Sequence, residues 1–211
     1  MKNRTVLLCI AIIAAMAVLT ALALPGLPAS VAIHWDAHGR ANGFGSPVWL
    51  FANLAINAAV LLLWVALPHL SPAKFGVEGF SATYWRAGLL LTIFLAALHG
   101  MVLWTALGHT LSIAQVLPAG VAIFIGLLGN MMGKVRRNFW IGIRTPWTLA
   151  SERVWYATHR FAGKSMVAGA ALSLAGLLAG WPMMVCLLLP AAGVVAPALY
   201  SFWAYRRFAT A

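Results

Sequence analysis

Six apolar runs, each long enough to cross a hydrocarbon layer of about 30 Å, constrain what this chain can fold into more than any other feature. They extend from Thr5 to Leu24, about Val48 to Leu67, Ala87 to Leu107, about Gln115 to Met132, Ser165 to Gly180, and Met183 to Tyr205. Lipid offers no water to backbone N–H and C=O groups, so such runs fold as helices that satisfy their own hydrogen bonds. Composition agrees: 63% of the 211 residues are hydrophobic and 8% are charged, against roughly a quarter charged in soluble domains. The expectation is an all-α membrane protein, a bundle of about six transmembrane helices forming a single domain over residues 1–211.

Trp49, Trp104, Trp181 and Trp203 fall near the ends of these runs, where amphipathic rings favour the headgroup zone. Ala21-Leu22-Ala23 matches a signal-peptide cleavage pattern, but the first run is longer than a usual signal core, which favours a retained helix. Cys9 and Cys186 both sit inside apolar runs and read as small buried hydrophobes, not as a disulfide framework.

An even number of spans puts both termini on one side. If that side is cytoplasmic, thirteen of the fourteen Lys and Arg residues lie inside and Arg40 alone lies outside; the opposite orientation inverts this split. The N- and C-termini are therefore expected in the cytoplasm, with an extracytoplasmic loop at 25–47 and a cytoplasmic segment at 133–164. A net charge of +11 does not point to nucleic acid, because the basic residues form no stripe interleaved with exposed aromatics.

Within the outer loop, Val31-Ala32-Ile33-His34-Trp35 reads as a short extended piece followed by the turn-rich Gly39, Asn42-Gly43 and Gly45-Ser46. In the inner segment, Thr145 is placed to cap a helix and Pro146 to occupy its first position. A helix from there to about Phe161 would align Glu152, Tyr156 and His159 on one face. Gly129 with Gly133, Gly176 with Gly180, and Gly169 with Ser173 have the spacing that lets helices approach closely in lipid.

Chemistry has few residues to work with. The acidic residues are Asp36, Glu78 and Glu152, and the chain contains no GxSxG, HExxH or phosphate-binding loop, so no catalysis is expected. His34-x-Asp36-x-His38 would bring three zinc-type ligands to one face of an extended strand; the same residues also suit a solvated turn. Arg144, Glu152, Arg153, His159 and Arg160 cluster with Trp140, Trp147 and Trp155. They read either as a basic loop resting on anionic headgroups or as a pocket in which Arg144 or Arg160 pairs with Glu152 or an anionic ligand. Asn53, Asn57 and His99 within the spans suit interhelical hydrogen bonds or a conduction path.

The string Asn138-Phe-Trp-Ile-Gly142-Ile-Arg144-Thr145-Pro146-Trp147-Thr148, with Trp155, His159-Arg160-Phe161 and Gly163-Lys164 after it and Gly129-Asn130 before it, resembles the signature of SdpI-like bacterial membrane proteins. Pro28-x4-Ile33-His34-Trp35 with Gly39 is similar to the outer motif that accompanies it. The resemblance implies an immunity protein in the bacterial cytoplasmic (inner) membrane, giving resistance to a secreted peptide toxin, with a receptor or signalling role through a cytoplasmic repressor. It points to Asn130, Asn138, Arg144, Thr145, Pro146, Trp147, Trp155, His159 and Arg160, and to His34 and Trp35 of the outer loop; residue chemistry adds Glu152 to the first set and Asp36 and His38 to the second. Expected partners are the lipid bilayer, the toxin and the repressor, with no nucleic acid and no cofactor. Two rival readings stay open: a small transporter or lipid-handling protein lined by Asn53, Asn57 and His99, and a metal-dependent membrane enzyme holding Zn on His34, Asp36 and His38.

Overall fold

Proline inside a membrane helix removes an amide and leaves the carbonyl four residues earlier without its partner, so each such site demands a donor from elsewhere. In a computed structural model describing residues 2–208, the helices are α1 (Lys2–Ala23), α2 (Leu50–Ala66), α3 (Ser81–Ala106), α4 (Ile113–Met132), a short α5 (Pro146–Ala150), α6 (Glu152–Leu178) and α7 (Met183–Phe208). All but α5 are long and apolar enough to cross a membrane. Between α1 and α2 lies an antiparallel hairpin, β1 (Val31–Trp35) with β2 (Ala41–Gly45), so the fold departs from all-α at that one place.

Pro190 and Pro197 both lie inside α7. The amide missing at Pro190 would have bonded Cys186 O; instead the buried Ser173 of α6 donates its hydroxyl to that carbonyl at 2.6 Å. The amide missing at Pro197 would have bonded Gly193 O, and Ser165 of α6 donates there at 2.8 Å. Pro68 repeats the device beyond α2: its absent amide frees Trp64 O, which accepts from the Tyr84 hydroxyl of α3 at 2.6 Å. Glycines let α6 and α7 come this close. A Cβ on Gly169 would lie 2.5 Å from Leu189 O, and one on Gly193 would lie 2.6 Å from Ser165 O.

Two buried clusters close the ends of the bundle. Leu50, Met101, Val102, Leu103 and Ile113 form one beneath the hairpin, with Trp35 packed against them. Val77, Phe80, Tyr84, Trp85, Val135 and Trp155 form the other, on the face where Lys2 stacks over Trp85 and Arg153 over Phe208; we call this the terminal face. Outward-facing Leu62, Leu178 and Leu199 are 72%, 92% and 73% exposed, as lipid contact requires. The chain is thus a multi-pass membrane protein.

Two expectations need correction. The helix beginning at Pro146 does not run on to Phe161: it ends at Ala150, and Ser151 adopts an extended conformation and caps a new helix at Val154 N. The helix that carries the fifth span accordingly begins at Glu152, thirteen residues before its apolar run opens at Ser165. Gly133 and Gly180 meet no neighbour within 4 Å, so only Gly129 and Gly176 of those two pairs make close helix contacts. The expected interhelical hydrogen bonds are present: Asn57 is buried and donates from α2 to Thr92 O of α3 at 3.3 Å, and His99 ties α3 to α1 through Thr20 Oγ1 at 2.8 Å, while Asn53 is exposed.

The Ser173 hydroxyl and the Pro190 ring form a linked pair. Ser173→Ala should lower stability by about 1 kcal/mol, and that loss should vanish in a Pro190→Ala background, where the helix regains its own amide. Thermal unfolding of the two single variants and the double variant in detergent measures this coupling.

Candidate functional site

The segment between α4 and α6 folds on the terminal face around Asn138 and His159. Asn138 is fully buried and uses its whole amide: Nδ2 donates to Arg136 O and Ile141 O at 2.9 Å each, and Oδ1 accepts from the Trp140 and Ile141 amides at 2.8 Å each. This ties a loop that makes few backbone bonds of its own. His159 on α6 lies beneath it, 1% exposed and stacked on Trp155 with centroids 4.0 Å apart. The Ile143 amide donates to His159 Nε2 at 3.1 Å, while Nδ1 lies 2.9 Å from Trp155 O. An amide can donate only to an unprotonated ring nitrogen, so the network assigns a neutral imidazole with its proton on Nδ1.

Gly142 makes this approach possible. Its φ of +104° is a conformation side chains rarely adopt, and a Cβ there would collide with His159 Nε2. Trp155 extends the same core, donating Nε1–H to Val135 O at 2.8 Å. The loop is also fastened to the connection between α2 and α3: Trp140 Nε1 donates to Ser71 Oγ at 2.6 Å and the Phe139 amide to Phe75 O at 3.3 Å.

Helix α5 is held by its cap and by α7. Thr145 and Thr148 form a reciprocal capping box with Pro146 in the first turn, and the Thr148 hydroxyl also reaches Ile143 O at 2.9 Å. Trp147 Nε1 donates to Ser201 Oγ of α7 at 2.7 Å, and its ring meets Phe202 and Tyr205. Arg144 is exposed and donates from Nη1 to Phe139 O at 2.6 Å.

Glu152 pairs with neither Arg144 nor Arg160. Its partner is Arg137, at 3.7 Å, because the break at Ser151 turns the start of α6 towards the loop. Arg137 also donates to Leu149 O at 3.1 Å and lies over the Phe75 ring, so it pins α5, α6 and the α2–α3 connection together. Nothing in the sequence distinguishes Arg137 from the other inner basic residues or marks Ser201, and Thr148 stands out only as the last residue of the motif string. The spacing of Thr148, three residues after a capping threonine, was the available signal. Asn130 and Arg160 stand apart from this network, exposed along α4 and α6.

On the opposite face, His34, Asp36 and His38 do not converge. Asp36 lies beyond β1, where its Oδ1 accepts from the His38 and Arg40 amides at 2.8 and 3.0 Å; the Arg40 and then the His38 amide hold its carboxyl below the ordinary carboxylate range. His34 Nδ1 turns across the hairpin to Asn42 Oδ1 at 2.5 Å, and register shifts on either side of His34 break the strand alternation. His38 Nδ1 is 3.9 Å from Asp36 Oδ2. Among the described residues no three His, Cys, Asp or Glu are grouped to hold a metal. Trp35 seats the hairpin on the bundle, and Gly39, at φ +76°, approaches so closely that a Cβ would lie 2.6 Å from Ala114 N.

This arrangement defines a polytopic membrane protein with a closed polar motif on one face and a hairpin on the other. Residues 134–201 match the SdpI/YfhL protein family, and residues 11–57 match a domain of unknown function (DUF1648). The first match runs from the loop through α5 and α6 to Ser201, the residue on which Trp147 closes; the second covers most of α1, the hairpin and the start of α2. Over 183 residues, 86% of either chain, the protein is 28% identical to the immunity protein SdpI of Bacillus subtilis (strain 168). No solved structure matches it. The chain is thus similar to the SdpI/YfhL family through its terminal-face half and to the immunity protein SdpI over most of its length.

His159→Ala should leave the Ile143 amide unpartnered and open a cavity beside Trp155, lowering stability by about 2 kcal/mol or more. Gly142→Ala should do the same through backbone strain and collision. In both, proteolysis between Gly133 and Thr145 should accelerate, whereas exposed Arg144→Ala should stay within about 0.5 kcal/mol of the parent.

Proposed function

We propose that the chain acts as an SdpI-like immunity protein, giving a bacterium resistance to a secreted peptide toxin from within its cytoplasmic membrane. The observation that carries this reading is the likeness to the immunity protein SdpI over 86% of both chains, which takes in the spans, the hairpin and the terminal-face motif together. The charge distribution supports placing the terminal face in the cytoplasm, since it carries every Lys and Arg except Arg40. The hairpin then meets the toxin outside, with His34 and His38 exposed at its edge.

On the terminal face, buried Asn138, Trp155 and His159 build the motif, while exposed Arg144 and Glu152 are the part a soluble repressor would touch. A receptor role thus assigns the buried residues to shape and the exposed ones to contact. No catalytic step is assigned: Asp36 is committed to its own turn and Glu152 to Arg137, on opposite faces of the bundle.

Expression of the chain in a toxin-sensitive bacterium should restore growth under an SDP-type peptide, and Arg144→Ala at matched membrane levels should abolish that protection. Protection retained by the variant would remove Arg144 from the mechanism, and no protection by well-inserted parent would reject this toxin. A fluorescent protein fused after Phe208 should mature, as it does only in the cytoplasm, and a periplasmic phosphatase fused there should stay inactive; the reverse pattern would overturn the orientation.

A further inference from the structure

Along α6, between α4 and α7, runs an open groove of about 940 Å³ that plays no part in the network around His159. One end carries Arg160, Lys164 and Asn130, all exposed; further along α6 the lining is Val167, Ala168 and Ala171. Tyr200 stacks on Phe161, centroids 4.4 Å apart, as an aromatic side to the polar end. Gly129, Gly133 and Gly163 keep that end open, and Gly129 packs so tightly on α6 that a Cβ would lie 2.8 Å from Met166 Cβ.

Among the described residues no acidic side chain balances the charges in this groove. Arg160 and Lys164 stand four residues apart on one helix face, a spacing at which like charges repel. Among the described residues, neither makes an ion pair, hydrogen bond or ring contact. Both lie on α6 just before its apolar run opens at Ser165, a position suited to the headgroup zone, and the apolar lining continues from them along the helix.

We propose that this groove binds one anionic glycerophospholipid, its phosphate between Arg160 and Lys164 with Asn130 beside it, and one acyl chain along Val167, Ala168 and Ala171. A basic polar end joined to an apolar trough matches a molecule with a phosphate joined to hydrocarbon. The missing counter-charge selects an anionic headgroup over a zwitterionic one. Tyr200 and Phe161 border the glycerol region, where amphipathic rings are favoured.

The test uses the full chain in nanodiscs of phosphatidylcholine doped with phosphatidylglycerol, with retained lipid counted by native mass spectrometry after detergent extraction. One phosphatidylglycerol should be retained in preference to phosphatidylcholine. Arg160→Gln and Lys164→Gln should each reduce retention about fivefold, and Lys164→Arg should restore it. Gly133→Leu keeps both charges but fills open space, since nothing lies within 4 Å of a Cβ there, and it too should reduce retention. Equal retention of both lipids, or retention unaffected by the glutamine variants, would overturn the site. Loss in the glutamine variants with none in Gly133→Leu would equally overturn it, showing diffuse surface attraction instead of a seated lipid. Melting curves in lipid-free detergent should coincide for all variants, because the substituted side chains are exposed.

Discussion

The contact on which the bundle most depends is a hydroxyl group placed where proline has removed an amide. Ser165 and Ser173 on α6 donate to Gly193 O and Cys186 O of α7, and Tyr84 does the same for Trp64 O. In water such carbonyls would be hydrated; in lipid each needs a protein donor. That need fixes the register of α6 against α7, since the two serines must meet two carbonyls running in the opposite direction. The glycines at 169 and 193 are needed for the same reason: a donor on one helix reaches the other's backbone only where no Cβ intervenes.

With α6 and α7 locked, the terminal face can be built on them. Trp155 and His159 lie in the first turns of α6 and Ser201 near the end of α7, so the loop that bonds Ile143 N to His159 and the helix that bonds Trp147 to Ser201 both rest on one rigid pair. Arg137 adds the α2–α3 connection. A face assembled this way separates two kinds of residue. Buried groups such as Asn138 have every polar atom used, while Arg144 and Arg160 keep charge available at the surface.

The recognition proposed for this molecule is divided among three places, each with its own physical character. The hairpin, tied down through Trp35 and Gly39, presents His34 and Asn42 beside exposed Ile33 and Phe44. The terminal-face motif presents cations on a rigid base. The groove along α6 opens sideways, towards lipid.

Much of the architecture was legible without coordinates, because the bilayer imposes a length and an apolar composition on every span. The extended piece Val31–Trp35, the capping role of Thr145 and the burial of both cysteines were legible too, each following from local chemistry. The break at Ser151 was not: the residues from Pro146 to Phe161 are compatible with one helix, and only docking of Trp147 on Ser201 and of Trp155 on Val135 sets the bend. That bend decides that Glu152 meets Arg137 instead of Arg144 or Arg160. The hairpin's bulges, likewise, turn His34 towards Asn42 and away from Asp36, a consequence of cross-strand register that spacing along one strand does not contain. The sequence by itself determined which segments cross the membrane, since that depends on hydrophobicity summed along the chain. Tertiary structure alone decided which polar groups pair, because in lipid each donor goes to whichever unsatisfied carbonyl or charge the packing brings within reach.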